Sequence, residues 1–444
     1  MKQRLFLIAA VISTASSTLP AQTALSLGDA ARLAAKQSGG VDVARQRVAQ
    51  AEARVTQRRG ALFPDLAAGI AQAERNINSA TFGFSFSNPV TGQSLLRPDG
   101  EIIGPVPTVD LRYRLQQPLL DLGNVAKWRA AQSLVLAASA DVQAQADLAA
   151  ATAAAVYVRA ARADAQLASR RADSALAADL LRIARDQLQA GTGIALDVTR
   201  AESQLANVRA QIIGARNERD RGLLELKRAV GLPLDAPLML RDSLAGMPVG
   251  DVAPEAASAL ARANESRADV KALLAQETAQ RAASQAIRWE RTPQLGLVLD
   301  QGVIGKNWNR LLPTYSWGVQ LSVGLFDGFR REGRVQEQLA ASRETDAKLR
   351  DLRAQSALEV RAALLDLSAA LEQVDAVRER LRLAEQEVSQ AQERFRAGVA
   401  GNGDVIAALL SLNQARTLRN DALASYHGSR VALARAMGDV QQLP

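Results

Sequence analysis

Two aspartates stand at equivalent places in two glycine turns. Asp197 lies in Leu188–Val198 (LQAGTGIALDV) and Asp404 in Phe395–Val405 (FRAGVAGNGDV). A glycine-rich turn that opens onto a helix can cradle a phosphate on free backbone N–H groups, or it can simply reverse the chain. Other side chains suited to chemistry are few. The 444 residues hold no cysteine, which excludes disulfides, thiolate metal sites, cysteine nucleophiles and a lipidated N-terminal cysteine. The single histidine, His427, would have to carry any triad or zinc site alone. Gly302-Val303-Ile304-Gly305-Lys306 has neither the spacing nor the Ser/Thr of a phosphate-binding loop, and there is no nucleophile elbow. The chain is therefore not expected to be an enzyme, and no cofactor or metal is implied.

The elements that position the two turns repeat with them. Gly191/Gly398, Asp197/Asp404 and Val198/Val405 share an offset of 207, which continues through Ala201/Ala408, Leu205/Leu412, Ala215/Ala422 and Leu226/Leu433 to Gly231/Gly438. Upstream, Leu119-Leu120-Asp121-Leu122-Gly123 aligns with Leu325-Phe326-Asp327-Gly328-Phe329, and Phe63-Pro64-Asp65-Leu66 recurs as Thr292-Pro293-Gln294-Leu295. A repeat of about 200 residues is a duplicated domain rather than a solenoid. Each half reads as helix, proline break, strand, loop, strand, Asp turn, very long helix, glycine turn and long helix.

The second very long helix carries Val360, Leu367, Val374, Leu381, Val388 and Phe395 at a spacing of seven, followed three residues later by Ala363, Ala370, Val377, Ala384 and Ala391. This is a coiled-coil seam with small residues at every second position, which lets helix axes approach closely. At ~1.5 Å per residue such a helix is a rod of roughly 100 Å, and each half is an antiparallel hairpin with the glycine turn at its tip. Gly191 and Gly398 are expected as left-handed C-caps. Asp197 and Asp404 are expected as N-cap carboxylates of the return helices, as are Asp121 and Asp327 where strand becomes helix.

The strands have a different period. Tyr315, Trp317, Val319, Leu321, Val323 and Leu325 alternate with small or polar residues, and Val109, Leu111, Tyr113 and Leu115 alternate with Asp110, Arg112, Arg114 and Gln116. One greasy and one wet face suit a transmembrane β-barrel with Tyr315 and Trp317 at the interface. Four strands cannot close a barrel, so the chain must oligomerise with a strand number that is a multiple of four. The N-terminus agrees with export. Lys2 and Arg4 precede the apolar run Leu5 to Ile12 and a cleavage point after Ala21 or Ala24, a signal peptide too short to span a bilayer. The formal charge of +8 comes from arginines interleaved with acids along helix faces, so nucleic acid is not the expected partner.

The expected organisation is a signal peptide at 1–21, a first repeat at 22–231, an irregular linker at 232–253, a second repeat at 254–438 and a tail at 439–444. The first repeat holds strands 66–86 and 108–120, long helix 122–190 and helix 197–231; the second holds strands 294–304 and 314–326, long helix 328–397 and helix 404–437. The fold class is α+β, mostly α.

With these elements in duplicate and in this order, the chain resembles the TolC family of outer membrane channels, the exit ducts of tripartite efflux pumps and type I secretion systems. The resemblance rests on Leu25-Ser26-Leu27, Pro64, Pro293, the Pro118-to-Gly123 and Leu325-to-Gly328 segments and the paired tips. It implies a homotrimer whose twelve strands form one barrel in the outer membrane and whose twelve helices form a periplasmic tunnel, with the linker and C-terminal end as a belt. It further implies contact with outer membrane lipids and partnership with a periplasmic adaptor (membrane fusion) protein and an inner-membrane RND, ABC or MFS transporter, while the absence of a lipidation cysteine separates this chain from lipid-anchored relatives, so no lipid anchor is expected. The cargo would be small molecules such as drugs and metals, or polypeptides. The tips would gate the pore, with Asp197 and Asp404 facing it. A second acid found one turn on in some relatives is Ala407 here, so a double acidic ring is not expected. Gly191, Thr192, Gly193, Gly398, Gly401 and Asn402 are the candidates for adaptor docking. Pro64, Pro118, Asp121, Gly123, Pro293, Asp327 and Gly328 mark the barrel-to-tunnel junction, and Arg112 and Arg114 are candidates to line the lumen and favour anions. The alternative is a periplasmic coiled-coil structural or adaptor protein without a pore, which leaves two matching strand pairs without a task.

Overall fold

The computed structural model describes residues 23–82, 87–97, 99–250 and 253–444. The expected signal peptide, and Phe84 and Phe86 of the expected strand 66–86, lie outside the described residues. The chain forms two units, one of Met1–Arg45, Ala140–Lys271 and Arg350–Pro444, the other of Gln46–Ser139 and Ala272–Leu349.

The helices repeat in length as well as in order. α1 (Leu27–Gln37) and α5 (Ala256–Ser266) have 11 residues each, and α2 (Gly39–Gly60) and α6 (Ala268–Trp289) have 22. α3 (Leu122–Gln189) and α7 (Arg330–Arg396) have 68 and 67, and α4 (Ala195–Val230) and α8 (Asn402–Met437) have 36 each. Sequence periodicity merges α1 with α2 and α5 with α6, because a one-residue break at Ser38 or Arg267 barely shifts a helical pattern.

In the first unit the core follows the seam. Val360, Leu367, Val374, Val388, Phe395, Ala363, Ala370 and Ala384 are all buried, with Leu381 and Ala391 packed against them. Alanine at alternate seam positions leaves no room for a larger side chain, so a bulkier residue there would overpack the helices. Near the tips a second cluster joins Leu180, Ile183, Val388, Phe395, Val405 and Leu412. The expected irregular linker at 232–253 instead contains a strand, β4 (Leu238–Leu240), which pairs in parallel with β1 (Thr23–Leu25). Two tyrosines hold this segment. The buried Tyr157 hydroxyl donates to the Leu25 carbonyl at 3.0 Å and accepts from the Asp242 N–H at 3.1 Å, and Tyr426 accepts from the Gly250 N–H at 3.0 Å. Burial pushes the Tyr157 phenol well up. Three residues of strand are too short to show a period, which is why the sequence reads as linker.

The second unit carries a four-stranded antiparallel sheet in the order β2-β3-β5-β6, formed by Asp65–Asn78, Ile102–Leu120, Gln294–Gly305 and Leu312–Ser322. Three strand bounds differ from expectation by four residues or more. β2 stops at Asn78 because the Asn78 side chain accepts from the Ala80 N–H at 3.1 Å and starts a short 3₁₀ turn, Ser79–Phe82. β3 starts six residues early and crosses Pro105 and Pro107. It does so where it has β2 as its one partner, since pairing with β5 begins at Val109, and proline is tolerated on such an edge. β6 ends at Ser322 opposite Gln294, the first residue of β5, so Val323 and Leu325 keep the alternation without a ladder.

Candidate functional site

The two tips are built by the same backbone device. Gly191 and Gly398 adopt φ of 74° and 71°, the left-handed region that glycine enters without a Cβ penalty. The Gly191 N–H reaches the Leu188 carbonyl and the Thr192 N–H the Gln187 carbonyl; Gly398 and Val399 repeat this on Phe395 and Arg394. Both are Schellman caps that satisfy the last carbonyls of α3 and α7. The Thr192 hydroxyl adds a 3.2 Å bond to the Gln187 carbonyl, and Gly193 packs against the Leu188 N–H.

The expected capping role of Asp197 and Asp404 is corrected. α4 and α8 begin two residues earlier than expected, at Ala195 and Asn402, with Ile194 and Gly401 as N-caps that form no side-chain cap bond. Both aspartates therefore sit inside the first turn, where they still interact favourably with the positive end of the helix dipole. Asn402 is also corrected. It is fully buried and its Nδ2 donates to the Asp197 carbonyl at 2.7 Å, so it ties the second tip to the first rather than facing a partner. Gln187 makes the reciprocal bond, donating to the Phe395 carbonyl at 2.9 Å.

Sequence reading misses the polar contact between α3 and α8 above the tips. Asp173, buried on α3, takes Arg416 at 2.6 Å and Arg170 at 3.4 Å. Arg170 also donates to Asn413 and to Thr417, and Asn420 donates to Ser169 at 3.1 Å. The available signal is a cluster of Asn, Thr and Arg on one face of α8, hidden among many exposed arginines.

The sheet separates its faces by register, since directly opposed residues share a face. One row crosses all four strands as Leu66, Leu115, Leu299 and Trp317, and the next as Ala68, Tyr113, Gln301 and Tyr315. Trp317 and Tyr315 are 69% and 80% exposed in the single chain, as are most apolar side chains of β6. The opposite face carries the rows Ala67, Arg114, Asp300, Ser316 and Gly69, Arg112, Gly302, Thr314. Both arginines of these rows have an acidic partner. Arg112 pairs with Asp110 at 2.7 Å and Arg114 with Asp300 at 2.9 Å, so each positive charge is matched on the same face.

The strand-to-helix junctions hold the remaining expected residues. Pro64 and Pro293 are exposed just before β2 and β5, and Pro118 lies in β3 beside a register shift. Asp121 caps α3, accepting from the Asn124 N–H at 2.8 Å, while buried Gly123 packs against Glu290. Asp327 accepts from the Arg331 N–H at 3.1 Å, and Gly328 is left-handed at φ 69°. Glu290 joins α6 to both long helices, through Lys127 at 2.9 Å and through Arg334. Burial raises its carboxyl, but the bonds from Arg334 and Lys127 outweigh that and hold it below the usual carboxylate range. Among the described residues no cluster of metal-ligating side chains occurs and no helix is long and apolar enough to cross a membrane.

Solved structures of outer membrane channels share this fold of a four-stranded antiparallel sheet and duplicated long helices. The chain matches VceC of Vibrio cholerae at 20% identity (93% of this chain, 96% of that one, TM-score 0.71). It matches CmeC of Campylobacter jejuni at 17% (93% and 85%, TM-score 0.71) and MtrE of Neisseria gonorrhoeae at 15% (93% and 88%, TM-score 0.72). No curated protein matches the sequence. The outer membrane efflux protein family matches residues 30–232 and again 259–439, and the chain belongs to that family.

Proposed function

We propose that the chain is one third of an outer-membrane exit duct, through which a tripartite efflux pump or a type I secretion system passes its cargo. The observation that carries this reading is the sheet, apolar and exposed on one face, small, polar and ion-paired on the other, with β2 and β6 each paired on one side only. In a bilayer an open edge leaves N–H and C=O groups without partners, so edges must be closed by further copies. A homotrimer supplies twelve strands for one barrel, with the apolar rows toward lipid and Arg112 and Arg114 toward the lumen. The alanine-seamed hairpins form the periplasmic tunnel, with the tips as its mouth. Asp197 and Asp404 face the pore there, and the exposed turn residues Thr192 and Gly401, with the half-buried Gly193, meet a periplasmic adaptor linked to an inner-membrane transporter. The signal peptide at 1–21 is removed on export and no lipid anchor is attached. The duct performs no chemistry on its cargo, whose identity lies with the inner-membrane partner.

The purified protein should extract only with detergent, run as a trimer that dissociates on heating, and give discrete conductance steps in a planar bilayer. A water-soluble elongated monomer would overturn the reading. Because Arg112 and Arg114 are ion-paired, reversal potentials should change little in the Arg112→Ala/Asp110→Ala double variant.

A further inference from the structure

The two ends of the sheet carry different charge. β2 and β5 start, and β3 and β6 finish, at the same end, so four helix ends meet there: the C-termini of α2 and α6 and the N-termini of α3 and α7. Residues 54–65, 121–129, 288–294 and 326–334 hold 10 Lys and Arg against 5 Asp and Glu. The connections at the other end, 79–101 and 306–311, are near balance.

Most of the acids at the helix end are already engaged. Glu290 takes Lys127 and Arg334, Glu332 takes Arg291, and Asp327 takes Arg331. Arg58, Arg59, Arg288 and Arg330 remain exposed with no carboxylate partner among the described residues. Arg59 and Arg288 are equivalents in the two copies, each at the same distance before the proline that precedes a strand.

Aromatic rings lie between these arginines. Phe63 and Trp289 are about half exposed, and the Arg59 guanidinium sits 5.5 Å from the centre of the Phe63 ring. Phe326 and Phe329 form an edge-to-face pair at 5.4 Å while both remain largely in solvent. Phe329 has φ of 63°, a conformation unfavourable for a residue with a Cβ. The high exposure of both rings leaves the pair uncovered within the unit.

We propose that this belt binds anionic phospholipid headgroups of the leaflet that faces the helices; the inference rests on the membrane reading above. The belt lies at the strand-to-helix end of the sheet, which places its rings where an acyl layer covering the strands would end. Aromatic rings favour that level, and guanidinium groups above them match phosphate in a forked geometry. The unpaired arginines supply the complementary charge, each worth about fivefold in preference for an anionic surface.

The test uses the full-length protein in detergent, with phosphatidylglycerol or phosphatidylcholine added to the micelles and bound lipid counted by native mass spectrometry. The wild type should bind phosphatidylglycerol at least tenfold more tightly, and raising salt from about 50 to 500 mM should remove most of the difference, as screening requires. The Arg58→Gln/Arg59→Gln/Arg288→Gln/Arg330→Gln variant should lose the preference, whereas Arg97→Gln/Arg310→Gln, at the opposite end, should keep it. Equal binding of the two lipids by the wild type, salt-independent preference, or equal loss in the two variants would overturn the proposal. The salt arm needs no variant to fold. Trimers that conduct but show no lipid preference sink this inference alone, and a water-soluble chain sinks the membrane reading with it.

Discussion

The two copies of the repeat nearly coincide in helix lengths, yet they fasten equivalent joints with different chemistry. Where α4 ends, Gly231 backs onto Gln37 at the α1–α2 break; where α8 ends, Gly438 backs onto Arg267 at the α5–α6 break. In the first copy α1 is held at its start, by the Ser26–Asp29 capping box, and at its end by a 3.2 Å bond from Gln37 to the Val230 carbonyl. The second copy has Glu255 as an N-cap without a side-chain bond. Its strength lies at the break, where the buried Arg267 clamps Asp269 at 2.7 Å and reaches Glu359 on α7 at 2.6 Å. The first copy has Ser38 in place of Arg267 and Gly40 in place of Asp269. The two copies thus share a backbone, but the first anchors its short helix at both ends and the second only at the break.

The tips differ in the same way. Gln187 and Asn402 bind across the pair, and their counterparts, Arg394 and Ala195, make no equivalent bond. Two like turns are joined by unlike residues, which fixes which copy lies beside which.

The largest effect should come from breaking what the copies share. An added Cβ at Gly231 would meet the Gln37 carbonyl oxygen at 2.7 Å and at Gly438 the Arg267 nitrogen at 3.0 Å, both on left-handed backbone. Gly231→Ala and Gly438→Ala should each cost about 2–4 kcal/mol, from about 1–2 for the backbone and the rest from overlap, read as a fall in guanidinium midpoint. Equal stability to wild type would show that the breaks can move apart. Next, Arg267→Leu should cost about 2–3 kcal/mol, at or below the lower end for a broken buried pair because Asp269 and Glu359 keep some solvent. Ser38→Ala, its counterpart, should stay within about 0.5 kcal/mol. Comparable losses would erase the distinction between the copies.

At the tips, Asn402→Ala removes the cross-tip bond to the Asp197 carbonyl and should loosen the mouth by about 1 kcal/mol, seen as higher trimer conductance with little change in melting. Ala195→Asp, at the equivalent place, should have no such effect on conductance. The smallest effect is that of acid. Ser26 and Arg32 hold Asp29 at about 2, and Arg267, outweighing burial, holds Asp269 below the usual carboxylate range. Both folded values lie below the unfolded ones, so the stabilisation is complete above about pH 4 and is lost as pH falls through the folded values. Asp29→Asn and Asp269→Asn should each flatten the acid limb of an unfolding curve between about pH 4 and 2, and an unchanged limb would remove the linkage.

Repetition and period account for most of what is legible in the amino-acid sequence. Glycines 191 and 398 are recognisable as helix ends, and the seam from Val360 to Phe395 is buried as its spacing requires. The family and its channel fold are equally legible, because a 207-residue offset in helix, turn and strand residues has few explanations. The expected caps at Asp197 and Asp404 are misplaced because Ile194 and Gly401 carry no capping side chain, and helix starts without a cap leave no mark in sequence. Neither a buried Asn402 nor the Arg114–Asp300 pair can be seen there, since each joins residues whose proximity only the fold creates, whereas Asp110 and Arg112 are neighbours on one strand face.

The duplication, the coiled-coil seam and the two-faced strands need nothing beyond the order of residues, because each is a periodic pattern written along one chain. Which residues become struts, and which charges are cancelled, is settled only when the chain packs. Those outcomes depend on contacts between positions such as Arg267 and Glu359, or Asn402 and Asp197, about 90 and 200 residues apart, and no local spacing encodes them.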